Sequence, residues 1–176
     1  MSRIHPVQLL LDEHRMIEDV LGAFEIKLRG LPATPFPGQW FFDVLDFFRH
    51  FVEGCHHNKE EEMIFPQLRA AGLLEQHDAG GAYLDRLEAG LPAAWDGDWN
   101  AVDQFRSEGL AYVRFLRDHI AREDELLHWV ARQPVNEQEI DRLQEEAEPE
   151  HFHQMSYEIY QKYLAVADKL LSNQAA

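Results

Sequence analysis

The stretch Phe41-Phe42-Asp43-Val44-Leu45-Asp46-Phe47-Phe48-Arg49-His50-Phe51-Val52-Glu53-Gly54-Cys55-His56-His57-Asn58-Lys59-Glu60-Glu61-Glu62-Met63 decides the fold class. Wound at about 100° per residue, it sets Phe41, Val44, Leu45, Phe48, Val52, Cys55 and Met63 on one arc. Apolar residues three and four apart over this length argue an amphipathic helix, and the spacing predicts one from about Gln39 to Ala71. The same period recurs on both sides. A first helix is expected from about Val7 to Arg29, with Val7, Leu10, Ile17, Leu21, Phe24 and Leu28 on its seam. A weaker third helix is expected from about Gly80 to Ala94, and a fourth from about Val102 to Gln133. The last starts with Asn136 as N-cap and Glu139 three residues on, a capping-box arrangement, and runs to about Leu171 with a disturbance at Pro149. Pro/Gly clusters at Gly30 to Gly38, Asp78 to Gly81, Pro92 to Gly97 and Gln133-Pro134 punctuate these segments. Alternating β-branched runs are absent, so the fold class is all-α, with four or five helices.

The chain of 176 residues is about one domain long, since domains run to roughly 100–200 residues. It reads as one domain over 1–176, with a bundle over about 6–133 and a C-terminal helix over about 136–171. Hydrophobic residues at 45% and charged residues at 27% are globular proportions and exclude wholesale disorder. Sixteen Lys and Arg against 32 Asp and Glu give a formal charge of −16, which repels phosphate backbones and anionic lipid. Nucleic-acid and membrane partners are therefore excluded as expectations, whereas a cation suits such a field. The single cysteine, Cys55, forms no internal disulfide and reads as a small core residue. The start of the chain has no signal-peptide apolar run, and no stretch approaches the roughly 18 apolar residues of a membrane span, so a soluble cytoplasmic protein is expected.

Polar residues at core positions carry the functional information. His14 stands in the middle of the first seam. In the second helix His56 and Glu60 lie on the interior edge of the arc, while His57 and Glu61, a further 100° or so round, are expected on the polar face beside His50 and Glu53. In the fourth helix His119 and Glu123 sit within the seam of Phe105, Tyr112, Phe115, Leu116, Leu126 and Val130. A lone seam histidine is ordinarily a hydrogen-bonded core residue, and one HxxxE pair on a charged helix means little. Two inward pairs and His14 in one chain are a different matter, because buried carboxylates without a partner cost several kcal/mol. Residues at i and i+4 share a helix face, so each HxxxE offers an imidazole and a carboxylate to one point. The candidate metal ligands are thus His14, His56, Glu60, His119 and Glu123, a set that suits iron better than thiolate-rich structural zinc. No residue reads as a dedicated nucleophile or proton shuttle.

With these residues placed, the chain resembles the hemerythrin-like (HHE cation-binding) family. Cys55-His56-His57-Asn58-Lys59-Glu60-Glu61-Glu62-Met63-Ile64-Phe65-Pro66 is similar to its signature CHHxKEExxxFP. Leu116-Arg117-Asp118-His119-Ile120-Ala121-Arg122-Glu123-Asp124 is similar to its LxxHIxxED segment, and Asp12-Glu13-His14 to its first-helix EH. The resemblance spans about Pro6 to Glu148. It implies an up-down four-helix bundle, here with an additional C-terminal helix, holding a non-haem di-iron centre whose two carboxylates bridge the metals. The implied ligand is dioxygen, nitric oxide or peroxide, bound, sensed or detoxified, and iron handling is a further implied role. A peroxide- or nitric-oxide-handling enzyme at the same centre is a further reading that sequence leaves open. One element departs: the third-helix HEHxxGR-like segment has no counterpart, and no histidine occurs between Asp78 and Asp118. Water, Glu88, His77 or Glu148 would complete the set, with His151 and His153 less well aligned. The alternatives that follow are a mononuclear iron site, another divalent metal, or a metal-poor bundle acting as an interaction module. The aromatic start of the second helix, Trp40 to Phe42, predicts a homodimer.

Overall fold

The structure, a computed structural model, describes residues 6–132 and 150–172. Helix α1 spans Pro6–Arg29, α2 Gly38–Phe47, a π-helical segment Phe48–His56, α3 His57–Ala71, α4 Leu74–Trp95, α5 Trp99–Val130 and α6 Glu150–Ser172. Among the described residues there is no strand. Helix α2, the π segment and α3 follow one another without a loop as one rod, kinked at Ile64 (φ −133°, ψ 24°), so the bundle has four rods: α1, this composite rod, α4 and α5. Short reversals make successive rods antiparallel. Helix α3 ends on left-handed Gly72 (φ 68°), where the Leu73 amide donates to Leu68 O at 3.0 Å. Leu73 and Leu68 are both buried in one cluster, the apolar contact that accompanies such a Schellman end. Helix α4 ends the same way at Gly97 (φ 89°), with the Asp98 amide donating to Ala93 O at 3.1 Å. Asp98 then caps α5, its carboxylate accepting from the Asn100 and Ala101 amides at 2.9 and 3.2 Å.

The apolar seams close on one another as their spacing requires. Val7, Leu10, Ile17, Leu21, Phe24 and Leu28 of α1 are buried, as are Phe41, Phe48, Phe105 and Tyr112 from the facing rods. They divide into a large cluster around Phe24, Phe41, Phe48 and Phe105 and a small one around Leu10, Ile64, Leu68 and Leu127. Position along each rod places the polar seam residues between the two clusters. The all-α, up-down four-rod architecture expected from the sequence is the one found, and α6 lies outside it against α1 and α2. Tyr163, Ala167 and Leu170 bury the contact of α6, and Trp40 donates its indole N–H to Leu170 O at 3.4 Å. Phe41 is core and Trp40 is half-buried under α6, so only Phe42 of the aromatic start is exposed. The surface from which a homodimer was expected is to that extent covered within the chain.

The helices depart from the sequence expectation chiefly in the second and third. The second helix is interrupted by π geometry rather than uniform. Helix α4 starts at Leu74 instead of Gly80, because Asp78 to Gly81 lies inside the helix. Gly80 serves close approach, since a Cβ there would stand 2.9 Å from Glu53 Oε1. Pro92 likewise sits within α4, which continues to Trp95. The capping box at Asn136 and Glu139 and the disturbance at Pro149 lie outside the described residues, as does the side chain of Met63.

Candidate metal centre

Between the two apolar clusters lies a layer of buried polar side chains: Glu13 and His14 from α1, His56, His57 and Glu60 from the composite rod, His77 from α4, and His119 and Glu123 from α5. Each is under a tenth exposed. The sequence-predicted ligands all fall in this layer, but His57 does too, against the expectation that it faces solvent. It is 3% exposed, and its ring stacks on His77 with centroids 3.9 Å apart and planes 2° from parallel. The cause is the π segment Phe48–His56. Bonding i to i+5 puts more residues in a turn than bonding i to i+4, so side chains beyond it lag the α-helical wheel by about one residue. Buried pairs now recur as Phe47 and Phe48, Phe51 and Val52, and His56 and His57. Cys55, expected on the arc, slips to a half-buried position. A π segment is thus what turns adjacent histidines toward one centre.

Nitrogen and oxygen atoms of His14, His56, Glu60 and Glu123 lie within 4.8 Å of one another, and a second group, His57, His77 and His119, meets the same limit. In the first group, Nε2 of His14 is 3.2 Å from Glu60 Oε1 and 3.6 Å from Glu123 Oε2, and Nε2 of His56 is 3.2 Å from Glu60 Oε1. Toward the second group, Nε2 of His77 is 3.7 Å from Glu60 Oε2 and 3.4 Å from Glu123 Oε1, while Nε2 of His119 is 3.1 Å from Glu123 Oε1. Each carboxylate therefore turns one oxygen to each group.

The outward nitrogens are held from behind. His14 Nδ1 meets Asp124 at 2.7 Å, His56 Nδ1 meets Glu13 at 2.9 Å, His77 Nδ1 meets Glu61 at 2.8 Å, and His119 Nδ1 meets Gln76 at 3.0 Å. Lys59 in turn donates to Glu13. Orienting partners of this kind fix ring direction and tautomer at metal-binding histidines. The inward atoms are the ones left over: Nε2 of His56, Nε2 of His119, Oε2 of Glu60 and Oε2 of Glu123 are buried without a hydrogen bond. Native interiors seldom leave such atoms unpaired, and here four converge. A cation accepting imidazole nitrogen and carboxylate oxygen fits this set.

The electrostatics agree. Burial opposes charge on Glu60, yet His56 and His14 beside it hold the carboxyl well below the usual range. Burial and Glu60 oppose charge on Glu123, and His119 and His77 still bring it down. Burial alone would lower His56, but Glu60 and Glu13 raise it to about 10. His14 is raised likewise, against its burial, by Asp124 and Glu60. Protons on these imidazoles supply the positive charge that the two glutamates require. His57 behaves oppositely: burial and the stacked His77 push it well below the ordinary value, leaving a neutral ring.

Of the residues considered in place of the absent third-helix histidine, His77 reaches the cluster from the first turns of α4. Glu88 does not, since it is engaged by Arg49 at 2.9 Å on the surface. Glu148 and the side chains of His151 and His153 lie outside the described residues. The sequence gives little sign that Glu13, Glu61, Gln76 and Asp124 orient these rings. A carboxylate or amide beside a seam residue, one position from it or one turn before its partner, is the faint signal that marks them.

The family described as "Hemerythrin HHE cation binding domain" matches the chain over residues 5–131, ending just past α5 and before α6. Relatives 29% identical over 150 residues are uncharacterized proteins of Mycobacterium bovis and of two strains of Mycobacterium tuberculosis. The aligned part covers 80% of this chain and 59% of theirs, so the chain spans well under two thirds of the curated relatives it matches. No solved structure matches the chain at a significant level. No described helix is long and apolar enough to cross a membrane.

Proposed function

Because the chain belongs to the hemerythrin HHE cation-binding family over residues 5–131, we propose that its buried polar layer holds a pair of non-haem iron ions that binds a small ligand such as dioxygen, nitric oxide or peroxide. The observation that carries this reading is the convergence of unpaired Nε2 and Oε2 atoms from His56, His119, Glu60 and Glu123 on one buried layer. His14 and His56 would hold one ion, His57, His77 and His119 the other, and Glu60 and Glu123 would span both. Imidazole and carboxylate donors without thiolate suit iron among the available divalent metals. Bound iron supplies a change of oxidation state and an open coordination position for the small ligand.

The chain's own contribution is orientation and seclusion. Glu13, Glu61, Gln76 and Asp124 aim the rings, and the clusters around Phe48 and Leu68 keep bulk water from both ends of the layer. With three imidazoles on one side of the layer against two on the other, the chain would offer two ions unequal donor sets. The test is an anaerobic ferrous titration of the full chain followed by dioxygen or nitric oxide. New charge-transfer absorption is expected in the parent chain and not in Glu60→Ala; an unchanged spectrum with either gas contradicts ligand binding. Glu13→Ala, which deprives His56 Nδ1 of its partner, should weaken metal affinity roughly ten- to hundredfold in a competitive chelator titration.

A further inference from the structure

Two pockets of about 320 Å³ each reach the polar layer from different sides. One, in the cleft between α1 and α5, abuts His14 and is lined by Arg15, Glu18, Asp124 and His128. There the histidine offers nothing outward, because Asp124 occupies its Nδ1 at 2.7 Å. The other, between the π segment and α4, abuts His57 and His77 and is lined by Glu53, Glu61, Asp78 and Asp85. Here Nδ1 of His57 has no hydrogen bond, although the side chain is only 4% exposed. Glu53 stands beside it, with Oε2 3.8 Å from His57 Nδ1 and Oε1 buried without a partner. Gly80 packs directly against this carboxylate, since a Cβ at that position would come within 2.9 Å of Glu53 Oε1 and push it aside. The pocket's one arginine, Arg49, pairs with Asp85 at 2.6 Å and Glu88 at 2.9 Å, and against the four acidic side chains of the lining it leaves the pocket net negative. An acidic, low-dielectric cleft of this kind concentrates cations at its mouth.

We propose that the pocket between the π segment and α4 is the port by which divalent cations reach the buried layer, and that Glu53 receives the ion and passes it to His57. The inference rests on the metal-centre reading. The unpartnered buried nitrogen of His57 is what distinguishes this pocket from a merely acidic surface, and Gly80 leaves room for the Glu53 carboxylate at its throat.

The experiment is stopped-flow uptake of cobaltous ion by the metal-free full chain, read by visible absorption, with final metal content measured by elemental mass spectrometry. Glu53→Gln should slow uptake about tenfold, within the range by which such fields change association, and leave the final content as in the parent. Gly80→Ala, which retains every charge but displaces the Glu53 carboxylate, should slow it as well. Glu18→Gln, an equal charge change in the other pocket, should leave the rate unchanged. Uptake by Glu53→Gln at the parent rate, or equal slowing by Glu18→Gln, would overturn the port. A lower final content in Glu53→Gln would make Glu53 a permanent ligand and overturn its role in transfer. Failure of the parent chain to take up cobalt overturns the metal centre itself, and the port with it.

Discussion

Replacing His57 by alanine is expected to weaken the second ion selectively, so that the ferrous-loaded chain, once loosely held metal is removed, retains fewer than two ions and falls toward one, because this ring belongs only to the second donor group. The first group, His14, His56, Glu60 and Glu123, keeps all its donors in this variant. An uninterrupted α-helix from Gln39 to Ala71 predicts the opposite, since it turns His57 toward solvent and makes the substitution neutral. Metal content of His57→Ala thus tests the register set by Phe48–His56 as well as the ligand assignment. The paired variant His50→Ala, at a histidine 60% exposed by its side chain, should leave the content unchanged. Equal content in His57→Ala and the parent would show that the π segment does not bring this ring into the centre.

Metal loading should also raise thermal stability strongly, and Glu60→Ala should lose nearly all of that rise. Without a cation, Glu60 and Glu123 face each other's charge inside the bundle, balanced only by protonated imidazoles. A ligand that binds only the folded chain stabilises it by about 4 kcal/mol at a free concentration a thousandfold above its Kd. For a chain of this length each kcal/mol moves the midpoint by about 2–4 °C, so a rise of about 8–16 °C is expected. Thermal unfolding followed by circular dichroism, with and without chelator, measures it. Glu60 is the sensitive position because its two oxygens face different groups, Oε1 toward His14 and His56 and Oε2 toward His77. A midpoint unmoved by ferrous ion in the parent would contradict the account. A rise retained in Glu60→Ala would remove that residue from the centre.

Much of this architecture was legible in the sequence, and the rest was hidden for definite reasons. Seams such as Val7 to Leu28 were readable because α-helical period and burial coincide along them. His14, His56, Glu60, His119 and Glu123 were readable because each interrupts such a seam, and all five lie in the buried layer. They do not form one cluster, however: His119 belongs with His57 and His77. His57 was misplaced because a helical wheel assumes a fixed rotation per residue, and a π segment changes it without any Pro or Gly signal at its start. Sequence places the start of α4 too late because Asp78-Ala79-Gly80-Gly81 looks like a turn, while in the structure it lies inside the helix with Gly80 against the Glu53 carboxylate. That error hid the helical position of His77, three residues into α4. Glu13 escapes a sequence reading because it contacts His56, 43 positions away, rather than its neighbour His14.

The most direct measurement is the number of iron ions per chain after anaerobic ferrous reconstitution and removal of excess metal, by elemental mass spectrometry on the 176-residue chain. A value near two is expected, one ion for each of the two donor groups between which Glu60 and Glu123 lie. A chain that retains no transition metal under these conditions would contradict it and leave a helical bundle whose function is interaction rather than metal chemistry.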